Sequence, residues 1–317
     1  MAVTLLLFIL GFVLITKGAD IFINYTVEIG RKTNISELIL GATIVSFATT
    51  LPELTVSLCA SLEGHTTMSL GNAVGSIICN TGLILGLVAL ISPFRVDKKM
   101  FFSKSMLLIV SILALIILGV DGQITRVDAI VLIVILVVFM INNYKSVVGE
   151  NNKNKCSGKR EKFKKSEILN LSIFFILGLA MMVIGSKLLI NSGVKMAEFI
   201  GIPQGVISLT VIALGTSLPE LVSCMTAIKK KHHAISVGNV LGANILNIVS
   251  VISLSAIPNN IPVLSQNMSI DFPFMILILL ILIVPTIRKH KLYRIQGIAM
   301  LASYIVYLAT LYLMYML

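Results

Sequence analysis

Apolar residues along this chain come in long blocks rather than in the alternating or three-to-four spacing of half-buried strands and helices. Ten blocks, centred near residues 10, 48, 80, 112, 135, 179, 215, 245, 279 and 306, approach the roughly 20 residues that carry an α-helix through a bilayer. No stretch between them is long enough for a soluble globular domain. The pattern therefore predicts an all-α membrane protein with ten transmembrane helices. The first block, Val3 to Thr16, has the length of a signal peptide. No basic stretch precedes it and no small-residue cleavage site follows, so it reads as a retained helix.

Composition agrees: 57% of the 317 residues are hydrophobic and only 12% charged, far from the balance of a soluble domain. The net charge of +11 would suit a nucleic-acid ligand if it lay on one face of a soluble fold, but topology accounts for it better. Arg31 and Lys32, Arg95 with Lys98, Lys99 and Lys104, the run from Lys145 to Lys165, Lys229 to Lys231, and Arg288, Lys289, Lys291 and Arg294 fall on alternate loops. The opposite loops, around Gly64, Gly122, Gly193 and Pro258, carry only Arg126, Lys195 and Lys187. By the positive-inside rule both termini are expected on the outer side of the cell membrane. The bilayer is the expected partner; no nucleic acid and no obligatory protein partner are implied. Cys59, Cys79 and Cys224 lie in apolar blocks and Cys156 in a polar loop, without metal-binding or disulfide spacing.

The chain is also a duplication. Residues 43 to 80 align without gaps with residues 210 to 247, a constant offset of 167 positions. Thr49 matches Thr216, Leu51-Pro52-Glu53-Leu54 matches Leu218-Pro219-Glu220-Leu221, Gly71-Asn72 matches Gly238-Asn239, and Gly75 and Asn80 match Gly242 and Asn247. The offset also pairs Gly11 with Gly178 and Gly18 with Gly185. Five spans per half is an odd number, so the halves are expected to be inverted in the membrane, an architecture of many secondary transporters. The expected organisation is a first five-helix repeat over residues 1–141, a basic cytoplasmic linker over 142–167, and a second repeat over 168–317.

Glu53 and Glu220 stand deep in apolar blocks, where an ionisable side chain is costly and marks function by default. Neither repeat offers Lys, Arg or His at that depth, so the two carboxylates imply bound cations or protons. Pro52 and Pro219 immediately precede them and are expected to break the helices, freeing backbone carbonyls. The carbonyls of Ser46 and Ala213 thereby become candidate ligands. Thr49 and Thr216 lie four residues before the glutamates and share their helix faces, with Thr50 and Ser217 alongside. One span later Ser76 and Asn80 share a face, and Gly71-x-x-x-Gly75 and Gly238-x-x-x-Gly242 allow close helix approach. An all-oxygen set suits hard cations such as Ca²⁺, Mg²⁺ and Na⁺ rather than Zn²⁺ or copper. His65, His232, His233 and His290 fall in expected loops.

The segments Ser46-Phe-Ala-Thr-Thr-Leu-Pro-Glu53 and Gly71-Asn-Ala-Val-Gly-Ser-Ile-Ile-Cys-Asn80, with their second copies, resemble the paired alpha repeats of sodium/calcium exchangers in the cation/calcium antiporter superfamily. The resemblance implies that Glu53, Glu220, Thr49 and Thr216 coordinate Ca²⁺. It assigns Thr50, Ser217, Ser76, Asn80, Asn247 and the carbonyls of Ser46 and Ala213 to Na⁺ or flanking positions. Ala243 departs from the family by replacing a frequent Ser, which removes one hydroxyl from a flanking sodium site. Asn247, where some relatives carry Asp, argues against K⁺ co-transport, and Ala48 replaces a usual Gly.

The expected function is thus Ca²⁺/Na⁺ antiport with both ions as cargo and no cofactor. A Ca²⁺/H⁺ antiporter would need the same carboxylates and stays open as an alternative. A cation channel would more often repeat its carboxylates by oligomeric symmetry. The chain lacks H-E-x-x-H, G-x-S-x-G and an aspartate-rich diphosphate motif, so no enzyme is expected.

Overall fold

A computed structural model describes residues 2–33, 35–155, 165–199 and 213–316. The chain is all-helical apart from two-residue strands in loops. In order, it forms α1 (Ala2–Thr33), α2 (Glu37–Leu62), α3 (Thr66–Ile91), α4 (Lys98–Leu118), α5 (Arg126–Lys155), α6 (Lys165–Phe199), α7 (Ala213–Thr216), α8 (Leu218–Lys229), α9 (His233–Ala256), α10 (Asn267–Lys289) and α11 (Arg294–Met316). Among the described residues, eight of these helices are long and apolar enough to cross a bilayer, each containing one of the expected centres. The centre near 179 falls in α6, whose apolar stretch runs Leu169–Gly185, and that near 215 falls in α7. The protein is an integral, multi-pass membrane protein.

Local chemistry sets the helix starts. Asp97 accepts the backbone N–H of Met100 at 2.8 Å ahead of α4. Thr125 and Asp128 form a reciprocal box ahead of α5, through Thr125 N–H to Asp128 Oδ2 at 2.8 Å and Asp128 N–H to Thr125 Oγ1 at 3.3 Å.

The inversion is visible in matched loop details. At the end of α2, Gly64 takes a left-handed φ of 86° while His65 N–H reaches Ala60 O at 2.8 Å. At the end of α8, Lys231 takes φ 66° and His232 N–H reaches Ala227 O at 2.8 Å, the same C-cap 167 positions on. β1 (Gln123–Ile124) pairs antiparallel with β2 (Ile261–Pro262). Their 167-shifted counterparts also meet, through the Arg95–Lys291 bridge and the Leu292 N–H to Phe94 O bond of 3.0 Å. The β1–β2 ribbon joins the loops around Gly122 and Pro258. The other joins loops among the basic clusters, so one connection recurs at both ends of the bundle. Antiparallel crossing does the same for α1 and α6: a Cβ on Gly18 would lie 2.8 Å from Gly178 O, and one on Gly185 would lie 2.7 Å from Gly11 O.

Three sequence expectations change. The stretch from 142 was read as a polar loop, yet α5 continues to Lys155 and α6 begins at Lys165; residues 156–164 lie outside the described part. The run contains no proline, so no residue in it removes a backbone N–H from the helical ladder. Lys104, read as a loop charge, is in the second turn of α4 and only 2% exposed, with Nζ donating to Asn143 Oδ1 of α5 and lying 5.4 Å from the Phe139 ring centre. His233, also read as a loop residue, opens α9.

Candidate functional site

The two halves place their duplicated segments in the middle of the bundle. Around Glu53, α2 is not broken at Pro52, as expected, but runs helical from Ser46 to Leu62. The irregularity lies two to three turns earlier, where Gly41–Val45 widens into a π-turn. In the second half the break is real: Ser217 separates α7 from α8 and leaves Pro219 in the first turn, where its missing N–H has no helical acceptor to lose. The helices that follow widen at matched places, Asn80–Leu85 in α3 and Asn247–Ile252 in α9, each π-segment beginning at the candidate asparagine.

Glycine brings these helices together. A Cβ on Gly238 would lie 2.3 Å from Leu38 O, one on Gly41 would lie 2.4 Å from Ile235 O, and one on Gly242 would meet Ser46 Oγ at 2.4 Å. The α9 backbone therefore lies directly on α2. The segment that would face Gly71 and Gly75 in the same way, 205–213, falls almost wholly outside the described residues.

Thr49, Thr50, Glu53, Ser76, Asn80, Thr216, Ser217, Glu220, Asn247 and Ser46 are all buried, with none more than 4% exposed. Ala213 opens α7. Glu53 and Glu220 lie one turn beyond Thr49 and Thr216, whose hydroxyls bond across the interface between the halves. None of their four oxygens makes a hydrogen bond to any described group; the Thr49 contact with Glu220 falls short of hydrogen-bond geometry. Both side-chain polar atoms of Asn80 and of Asn247, and the Thr50 hydroxyl, are likewise buried without a hydrogen-bond partner among the described residues. Native interiors rarely leave buried polar atoms unpaired, so this concentration in one place sets the region apart. Among the described residues no group of three or more His, Cys, Asp and Glu is placed to hold a metal ion.

Asn72 and Asn239, matched in the repeat but given no role above, link the halves. Thr49 Oγ1 donates to Asn239 Oδ1 at 3.2 Å, and its counterpart Thr216 Oγ1 donates to Asn72 Oδ1 at 3.2 Å. The other end of each amide holds its own half: Asn72 Nδ2 donates to Ser57 Oγ at 2.9 Å, and Asn239 Nδ2 to Ser223 Oγ at 3.1 Å and Cys224 Sγ at 3.6 Å. Cys224 thus occupies the position of Ser57 and is a polar participant rather than only a packing thiol. Identity across the repeat was the sequence signal for these asparagines. We expect Asn72→Ala and Asn239→Ala each to destabilise the protein by about 1–3 kcal/mol by orphaning buried partners, read as a lower melting temperature in detergent.

Symmetry also fails at the hydroxyl pair beside the glutamates. Ser217 Oγ donates to Ser76 Oγ at 3.4 Å, whereas the matching pair is Thr50 and Ala243, and the Thr50 hydroxyl has no partner among the described residues.

Inverted halves that bury two carboxylates without hydrogen-bond partners among the described residues, beside helices that widen at matched positions, define a secondary transporter and not an enzyme. Residues 3–145 and 170–313 match the family described as sodium/calcium exchanger protein, and the chain belongs to that family. It is an antiporter of the cation/calcium exchanger type. The inner membrane protein YrbG of Escherichia coli is 34% identical over 314 residues, covering 96% of each chain. The sodium/calcium exchanger MaX1 of Methanosarcina acetivorans is 28% identical over 354 residues, covering 98% of this chain and 99% of its own. The structure of the sodium-calcium exchanger NCX_Mj soaked with 10 mM Na⁺ and zero Ca²⁺ superposes with a TM-score of 0.85 at 30% identity, covering 98% of this chain and all of the other.

Proposed function

We propose that this protein exchanges Ca²⁺ for Na⁺ by alternating access in the cell membrane, with both termini outside and residues 1–141 and 168–317 acting as the two moving repeats around the 142–167 linker. The observation that carries the reading is the pair Glu53 and Glu220, fully buried and without hydrogen-bond partners among the described residues. With both ionised, the empty site holds two negative charges in a low-dielectric interior, so reorienting it unloaded is costly. One Ca²⁺ neutralises the pair, and so do two Na⁺. Either load crosses while the vacant form does not, and exchange becomes obligatory.

In this reading Glu53, Glu220, Thr49 and Thr216 hold Ca²⁺ with oxygen ligands suited to a hard cation. The Ser76–Ser217 hydroxyl pair, Thr50, Asn80, Asn247 and the carbonyls of Ser46 and Ala213 serve Na⁺ or flanking positions. The names of MaX1 and NCX_Mj support Na⁺ as the counter-ion. The deciding measurement is ⁴⁵Ca²⁺ uptake into proteoliposomes under clamped voltage. An outward Na⁺ gradient should drive uptake; uptake driven only by an outward H⁺ gradient would move the protein to proton coupling.

The unpaired Thr50 yields a gain-of-function test. Ala243→Ser restores the hydroxyl that its counterpart Ser76 supplies in the other half. One added hydrogen bond, about 1 kcal/mol, should lower the Na⁺ concentration for half-maximal exchange roughly fivefold and steepen its dependence. An unchanged Na⁺ curve would remove Thr50 from the sodium set.

A further inference from the structure

A charged contact joins the two halves at the face where the basic residues gather. Lys230 Nζ, at the C-cap of α8, sits 3.2 Å from Asp20 Oδ1 of α1 and donates to Asp20 O at 2.8 Å. The 167-residue offset carries Asp20 to Lys187 of α6, and Lys230 to Glu63, the C-cap of α2. Both signs are reversed, yet the pair stays complementary. At the opposite face this second pair is not made: Lys187 and Glu63 are both exposed, and neither forms an ion pair among the described residues.

The flanking helix faces differ in the same sense. Leu218 and Val222 of α8 pack into the cluster that contains Ile15, Ala19, Phe22 and Ile23 of α1, and Thr226, the next position on that stripe, is 7% exposed. Their counterparts on α2 are Leu51, Thr55 and Cys59, and all three are exposed. The stripes end at Lys230 and Glu63. One half is therefore closed along this edge down to its ion pair, and the other is open along the matching edge. Asp20 and Lys187 each stand two positions past a glycine that lies against backbone where α1 and α6 cross, Gly18 and Gly185, so one packed helix pair sets both edges.

We propose that Asp20–Lys230 and Lys187–Glu63 are alternately formed latches, one at each face of the membrane, and that this structure holds the first shut and the second open. The proposal rests on alternating access as read above: exchanging the conformations of two inverted halves turns an opening to one side into an opening to the other. The state open to the basic face then has Lys187 on Glu63 and Asp20 parted from Lys230. Exposed ion pairs contribute modestly, so the latches bias the two states without locking either.

Paired cysteines read the latches directly. In a background carrying Cys59→Ser and Cys156→Ser, with Cys79 and Cys224 left buried, one protein carries Asp20→Cys with Lys230→Cys and another Lys187→Cys with Glu63→Cys. Each full-length protein is reconstituted and oxidised with copper phenanthroline, and the intramolecular disulfide is read as two thiols lost to a maleimide mass tag. Both pairs should cross-link, and each cross-link should abolish Ca²⁺ flux until a reductant restores it. Adding Asp20→Asn to the Lys187→Cys/Glu63→Cys protein should raise its cross-linking rate about threefold, because weakening the first latch populates the second state. Glu28→Gln, which removes an ion pair lying within α1, should leave that rate unchanged. Cross-linking needs no ion gradient, so its result is independent of which counter-ion drives exchange. Failure of Lys187→Cys to link with Glu63→Cys, a link there that leaves flux intact, or a rate that Asp20→Asn raises no more than Glu28→Gln does would each overturn the proposal.

Discussion

Glu53→Gln and Glu220→Gln should each abolish Ca²⁺ transport while leaving a folded, membrane-inserted protein. Glutamine keeps the size and shape of the side chain but removes one of the two charges that a divalent cation has to find. Loss of one partner from a buried charge interaction costs about 3 kcal/mol, so Ca²⁺ affinity should fall on the order of 100-fold. In the ion-free protein the effect runs the other way. Two carboxyl groups are buried without hydrogen bonds to the described protein, so a neutral amide in place of one costs the fold no partner and removes a group whose charge burial penalises. The variants should therefore melt no lower than the parent in ion-free detergent, while losing the stabilisation that added Ca²⁺ confers by binding the native state. Calorimetric titration with Ca²⁺ and ⁴⁵Ca²⁺ flux check the two halves of this expectation. Robust exchange in either variant would remove the carboxylate pair from the mechanism.

Gly238→Val should be nearly as damaging by an unrelated route. Even a single Cβ on Gly238 would lie 2.3 Å from Leu38 O and 2.9 Å from Ala42 N, both backbone atoms of α2 that cannot rotate away. The branched side chain forces α9 and α2 apart, at a cost of about 3 kcal/mol. That displacement pulls Asn239 away from Thr49 and shifts the surroundings of Glu220. Thermal melting should drop and transport should be lost together, in contrast to the glutamine variants, where transport is lost alone. A Gly238→Val protein with normal flux would show that the tight crossing is not needed to build the site.

Much of this was legible before any coordinates. The apolar blocks specify spans because a bilayer sets a length, and the ten-block pattern places the helices seen here. The 167-residue offset between Thr49-x-x-x-Glu53 and Thr216-x-x-x-Glu220 marks the duplication, and an odd number of spans per half dictates the inversion. Charge at membrane depth singles out Glu53 and Glu220 because lipid penalises it wherever it occurs. Each of these follows from the solvent or from counting along the chain.

What stayed hidden depends on which residue meets which. Proline chemistry suggested a break at Pro52, yet α2 stays helical there and widens at Gly41–Val45, where packing against α9 requires backbone contact. Thr49 and Asn239 are 190 positions apart, and nothing local marks them as partners. The unpaired state of Thr50 emerges only when Ala243 is seen at the position that Ser76 fills in the other half. Lys104 reads as a loop charge until its ammonium is found against Asn143 and Phe139. Membrane depth, helix count and inversion are properties of one chain against its solvent, so the sequence determines them. The pairing of side chains across the two halves is a property of distance in three dimensions, and only the folded structure decides it.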